Sequence, residues 1–93
     1  MTVAQIIAQV ARERGLTPAD ITGRDTTARI AAARQEAMLR ARELTGQSLP
    51  QIGRSFGRDH TTILAGCRAA ERRRRAEDLI REAREARQQG AAA

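Results

Sequence analysis

SLPQIGRSFGRDHTTIL, residues 48–64, holds two helix starts and one sharp turn, and its reading decides the fold. Ser48 followed by Pro50 and Gln51 supplies a cap, an early proline and a returning side chain, the capping-box pattern. Leu49, Ile52 and Phe56 then share an inward face over barely two turns. Gly57-Arg58 makes a tight connection, and Asp59-His60-Thr61-Thr62 can cap a further helix whose inner face is Ile63, Leu64 and Cys67. Two short capped helices joined at a glycine predict a helix-turn-helix.

Working toward the N-terminus, residues 28–45 carry no Gly or Pro, and Ile30, Ala33, Ala37, Met38, Ala41 and Leu44 form an apolar stripe that predicts a long central helix closed by Gly46. Thr26 or Thr27 is its expected cap. The stretch from Gly23 to Thr27 has no apolar anchor and reads as an exposed loop. Before it, Thr17-Pro18-Ala19-Asp20 predicts a short helix reaching Thr22. Thr2 with Gln5, followed by Val3, Ile6, Ile7 and Val10 on one face, predicts a first helix over about residues 3–14 that stops at Gly15.

Working toward the C-terminus, no breaker intervenes between Cys67 and Gly90, and the segment 68–87 holds eight Arg against five acids, including the run Arg72 to Arg75. It reads as helical, with Glu71/Arg75 and Glu77/Arg81 spaced for i,i+4 pairing and only a thin stripe of Leu79, Ile80, Ala83 and Ala86. Two arrangements remain open: a bend near residue 75 that folds the segment back on the first helix, or a continuous rod. The expected organisation is therefore a helix-turn-helix domain over residues 1–70, an Arg-rich C-terminal helix over 71–89 and a frayed tail over 90–93.

Composition agrees with an all-α, compact helical domain. Ninety-three residues leave room for one core, built here from aliphatic side chains and 19 alanines with Phe56 as the only aromatic. All 17 basic residues are arginine, against 11 acids, and the resulting +6 points toward a polyanionic partner. Cys67 is the single cysteine and is expected to be a small buried hydrophobe, compatible with a reducing cytoplasm. No apolar run is long enough to span a membrane, and no secretory leader pattern opens the chain. One His, one Cys and no Gly-rich phosphate loop predict no metal, no cofactor, no small-molecule substrate and no enzyme activity. A cytoplasmic, nucleoid-associated binding module is the expectation.

The polar residues of 58–62 cluster where a helix-turn-helix presents its second helix to double-stranded DNA. Asp59 can accept from a cytosine amino group, Thr61 and Thr62 can offer a hydroxyl or a methyl to thymine, and His60 can bond a base edge or a phosphate. Arg58 would meet phosphates, as would the positive end of the helix itself. The competing structural reading is a plain N-cap at Asp59 followed by surface polars.

With DHTTI at residues 59–63, SLPQIGRSFGR before it and ARQEAM at 33–38, the chain over about residues 3–70 resembles the family of C-terminal DNA-binding domains of the bacterial replication initiator DnaA. The resemblance implies a helical domain that reads short, asymmetric, A·T-rich duplex sites called DnaA boxes, with a helix in the major groove and a basic loop in the adjacent minor groove. It implies base-reading roles for Asp59, His60 and Thr61, and thymine contact for Pro50 with Leu49 beside it. It implies phosphate contacts for Arg34, Gln35, Arg42, Thr45, Ser48 and Thr62, and a minor-groove loop carrying Arg24 and Arg29. That loop keeps two arginines and adds Asp25, where the family is denser in base. On this reading the chain would modulate replication initiation or transcription without ATPase activity, and the initiator is a further candidate partner. The alternative is a protein-interaction module whose Arg-rich C-terminal helix binds an acidic partner or self-associates.

Overall fold

The computed structural model describes residues 1–92. It contains five helices: α1 (Val3–Arg14), α2 (Pro18–Thr22), α3 (Ala28–Thr45), α4 (Leu49–Phe56) and α5 (His60–Ala92), with no strand among the described residues. The all-α expectation holds, and none of these helices is long and apolar enough to cross a membrane.

Local chemistry explains the boundaries. Thr2/Gln5, Thr17/Asp20 and Ser48/Gln51 each form a reciprocal capping box at the starts of α1, α2 and α4. The exit of α4 is a Schellman turn: Gly57 adopts φ 64° and the Arg58 N–H donates to the Gly53 carbonyl at 2.9 Å. A side chain at Gly57 would strain that left-handed backbone, so the turn needs glycine there. At α3 the cap differs from expectation. Thr27 occupies the cap position but makes no side-chain cap bond; its N–H and hydroxyl both donate to the Asp25 carboxylate.

α3 is the spine against which α1, α2, α4 and α5 pack. Ile6, Val10, Ile21, Ile52, Phe56, Ile63 and Cys67 are fully enclosed together with its own Met38. Burial of Phe56 and Cys67 matches the sequence expectation. Three members of the predicted inner faces fall outside it: Leu44 is 57% exposed and Ile30 and Leu64 are only half-buried, while Leu39 takes an interior place instead.

In the C-terminal third the structure adopts the continuous rod of the two arrangements left open. The Arg-rich segment 71–89 continues α5, which runs on through Gly90 to Ala92, so the expected frayed tail is helical as far as Ala92; Ala93 lies outside the described residues. Thirty-three residues of helix give a length of about 50 Å, which accounts for the 53 × 25 × 24 Å extents of the molecule. From Arg75 to Gly90 every side chain is exposed, so this half of α5 projects from the body as a rod.

Ile63, Cys67 and Ala70 bury the first half of α5 in the core, and an ion-pair chain absent from the sequence reading ties it down beyond them. Arg74 donates to Glu36 at 2.6 Å and to Glu43 at 2.9 Å, and Arg40 joins Glu36 at 2.8 Å to Glu13 on α1. Burial pushes the Glu36 carboxyl up, but the hydrogen bonds from Arg74 and Arg40 outweigh it and hold the group below the usual carboxylate range. A carboxylate depressed in the folded state stabilises above its unfolded pKa and loses that contribution as pH falls through the folded value. Acid therefore loosens α5 from α3. The i,i+4 pairs expected at Glu71/Arg75 and Glu77/Arg81 are replaced by Arg81 bonding Asp78 at 2.9 Å, with Glu85 at 4.0 Å.

Candidate nucleic-acid interface

Asp59 is both the helix cap and part of the exposed tip. Its Oδ1 accepts from the Thr62 N–H at 2.9 Å and from the Thr61 hydroxyl at 2.6 Å. The Thr61 hydroxyl, followed by the Thr62 N–H, stabilises the carboxylate and lowers its pKa from 3.8 to about 2. The sign is that of a depressed acid: the cap is fully formed above pH 4 and is lost as pH drops toward 2. In an NMR titration, the Asp59 carboxyl should titrate near pH 2, with Thr62 amide exchange accelerating over the same interval. A midpoint at the ordinary aspartate value would show that the cap does not form.

The two helices of the turn bring the tip and the start of α4 together. Pro50, Arg54, Asp59 and His60 line one shallow cleft of about 370 Å³. Pro50, His60, Thr61 and Thr62 are all exposed, whereas Leu49 is half-buried against the core. Asp59, His60, Thr61 and Pro50 thus share an open surface, and Leu49 serves packing more than contact.

A second cleft, about 580 Å³, runs between the 23–27 loop, α3 and α5. Arg24, Arg34, Arg58 and Arg72 line it together with Gln35 and Thr62, and none of its lining residues is acidic. Arg72 was not singled out for this surface, although the spacing of Thr62, Ala65, Ala69 and Arg72 sets all four on one helical face. The acid-free crowding of guanidinium groups creates a concentrated positive field beside the exposed Asp59–Thr62 tip.

Two of these arginines are internal struts as well as charges. Arg34, expected on phosphate, is 6% exposed: its Nε donates to the Ile21 carbonyl at 2.7 Å, and its Nη atoms donate to the backbone carbonyls of Asp25 at 2.9 Å and Asp20 at 3.1 Å. Arg58 donates to the carbonyls of Thr22 at 3.1 Å, Phe56 at 2.8 Å and Gly23. Burial, then the nearby charges of Arg34 and Arg24, lower its pKa. Together the pair ties the 23–27 loop to α3 and to the turn before Asp59. Arg24 is left exposed at the loop, free to reach outward.

The other expected contacts are dispersed. Arg29 lies on the first turn of α3 rather than in the loop, and its Nη2 donates to the last carbonyl of α1, at Arg14, at 2.6 Å. Gln35 accepts from Arg73 at 3.0 Å. Arg42, Thr45 and Ser48 line neither cleft; they belong to the end of α3 and the start of α4. Arg42 is exposed, Thr45 donates to the Ala41 carbonyl at 2.6 Å, and the Ser48 hydroxyl caps α4. No grouping of metal-ligating side chains occurs among the described residues.

Comparison with known proteins agrees with this geometry. Residues 3–69 match the family described as bacterial dnaA protein helix-turn-helix. The chain is 42% identical over 82 residues to the chromosomal replication initiator protein DnaA of Psychromonas ingrahamii, covering 87% of this chain and 18% of that protein. It is 44% identical over 87 residues to the DnaA of Thermus thermophilus, covering 88% of this chain and 20% of the relative. Against the DnaA of Latilactobacillus sakei it is 46% identical over 65 residues, covering 69% and 14%. The chain therefore spans a fifth or less of the length of these curated relatives.

Proposed function

Because the chain belongs to the bacterial DnaA helix-turn-helix family, we propose that it binds short, asymmetric, A·T-rich duplexes of the DnaA-box kind and modulates replication initiation or transcription by occupying them. The observation that carries this reading is the exposed Asp59–His60–Thr61 tip beside an arginine-lined cleft with no acidic lining residue. A helix start in the major groove can read base edges through such side chains. The neighbouring positive cleft suits the phosphate backbone that flanks the groove.

Roles follow from what each side chain is free to do. His60 and Thr61 read bases, and Asp59 accepts from a cytosine amino group through the oxygen not engaged in capping. Pro50 offers an apolar face to a thymine methyl. Arg24, Arg72, Thr62 and Arg42 meet phosphates, with the α4 start at Ser48 and the last turn of α3 at Thr45 alongside. Arg34, Arg58 and Arg29 act chiefly by holding the loop and α1 in place. The bound complex would sit on the nucleoid, and occupancy of a site requires no nucleotide hydrolysis.

Fluorescence anisotropy with a box duplex and a scrambled duplex tests the reading. His60→Ala or Thr61→Ala is expected to cost about 1–3 kcal/mol on the box and little on the scrambled sequence. Arg72→Ala should weaken both equally, and each neutralised phosphate should add roughly 0.9 to the salt slope. Equal losses on both duplexes for His60→Ala would remove the base-reading role. Selection from a random duplex pool should enrich one asymmetric A·T-rich motif; failure to enrich any sequence counts against the proposal.

A further inference from the structure

The charge of this chain is unevenly divided along α5. From Arg75 onward the rod carries four arginines (75, 81, 84 and 87) and four acids (77, 78, 82 and 85), so it is net neutral and the whole +6 resides in residues 1–74. The arginine excess of the C-terminal third is the part already packed on α3 through Arg73 and Arg74. A neutral helix is a poor match for an acidic protein or a polyanion. It does, however, leave Leu79 and Ile80 61% and 53% exposed with nothing from the chain covering them.

We propose that the projecting half of α5 pairs in parallel with the same segment of a second copy of this chain. Ala76, Leu79, Ala83 and Ala86 follow one another at alternating steps of three and four residues, the spacing of a coiled-coil seam, with Ile80 beside it. Charge complementarity selects both the occupant and its direction. In a parallel pair the positions flanking the seam set Glu82 of each chain against Arg87 of the other, twice by symmetry. In an antiparallel pair the same flanks set Glu82 against Glu82, or against Gln89 after a shift of one heptad; the opposite shift sets Glu82 against Arg75 but opposes Ala83 to Arg72 and Ala86 to Ala69, which line the cleft on the body, leaving only Ala76 and Leu79 of the projecting seam in the pairing. The seam from 76 to 86 is short and small-sided, so the expected dimer is weak and concentration-dependent. Parallel pairing also directs both recognition tips toward the same end of the assembly.

Sedimentation equilibrium of the full chain without DNA, across a concentration series, reads this directly. The mass should rise from one chain toward two. Glu82→Arg alone and Arg87→Glu alone should each weaken pairing by roughly tenfold, since each creates two like-charge contacts. An equimolar mixture of the two variants, and the double variant E82R/R87E, should both recover it. These exposed positions lie far from the tip, so binding of a single box duplex should be unchanged; that readout separates failure of the pairing from failure of the DNA-binding reading. A chain that stays monomeric throughout, or a dimer indifferent to both charge reversals, overturns the proposal.

Discussion

Gly53→Ala is expected to destabilise the domain by about 1–3 kcal/mol, although alanine is the better helix former by roughly 1 kcal/mol at an open site. Gly53 is buried on α4, and a Cβ there would collide with the Arg58 carbonyl oxygen while touching the Arg58 and Asp59 carbonyl carbons at 3.5 Å. These are backbone atoms with little room to yield. The collision would force α4 away from the first turn of α5, shifting Asp59 and His60, so box affinity should fall along with thermal stability. Gly90→Ala provides the contrast, since a Cβ there meets nothing within 4 Å; it should be neutral or mildly stabilising. Thermal melts of both variants by circular dichroism check the sign. A stability gain at Gly53 would mean that the two helices stand further apart than described.

Phe56→Ala carries the largest expected cost, about 3–5 kcal/mol. The ring is 2% exposed within the cluster that includes Ile6, Ile21, Ile52 and Ile63. No other aromatic exists to fill the space. Against a total stability on the order of 5–15 kcal/mol for a domain, the loss leaves a margin small enough to see as partial unfolding near physiological temperature. Denaturant titration should show a lower midpoint, with sequence-selective DNA binding lost in parallel. A shift of under about 1 kcal/mol would show that Phe56 is not the anchor its burial indicates.

The helix-turn-helix was legible because its signals are local. Ser48 and Gln51 form the expected box, Gly57 takes the left-handed turn, and Asp59 caps α5. The same locality explains what escaped. Glu36 sits mid-helix in an unremarkable charged stretch, and only tertiary packing brings Arg74 to it across 38 positions. Arg34 and Arg58 have the composition of phosphate ligands, yet apart from the Phe56 carbonyl beside Arg58 their partners are carbonyls of α2 and the following loop, which no spacing rule points to. Leu44 fits the apolar period of α3 but lies beyond the reach of its neighbours. As for the tip, capping engages one carboxylate oxygen of Asp59 and leaves the other for the base contact proposed for it.

The straight course of α5 has a mechanical consequence. With no proline or break between His60 and Ala92, the end that would enter the groove and the end that projects into solvent form one lever without a hinge. Whatever grips the distal end applies torque to the Asp59–Thr62 end, and on the proposed reading distal crowding on adjacent sites would tilt His60 and Thr61 in the groove. Inserting a Gly-Gly step near residue 76 should uncouple the two ends, which spin labels at the tip would register as independent reorientation.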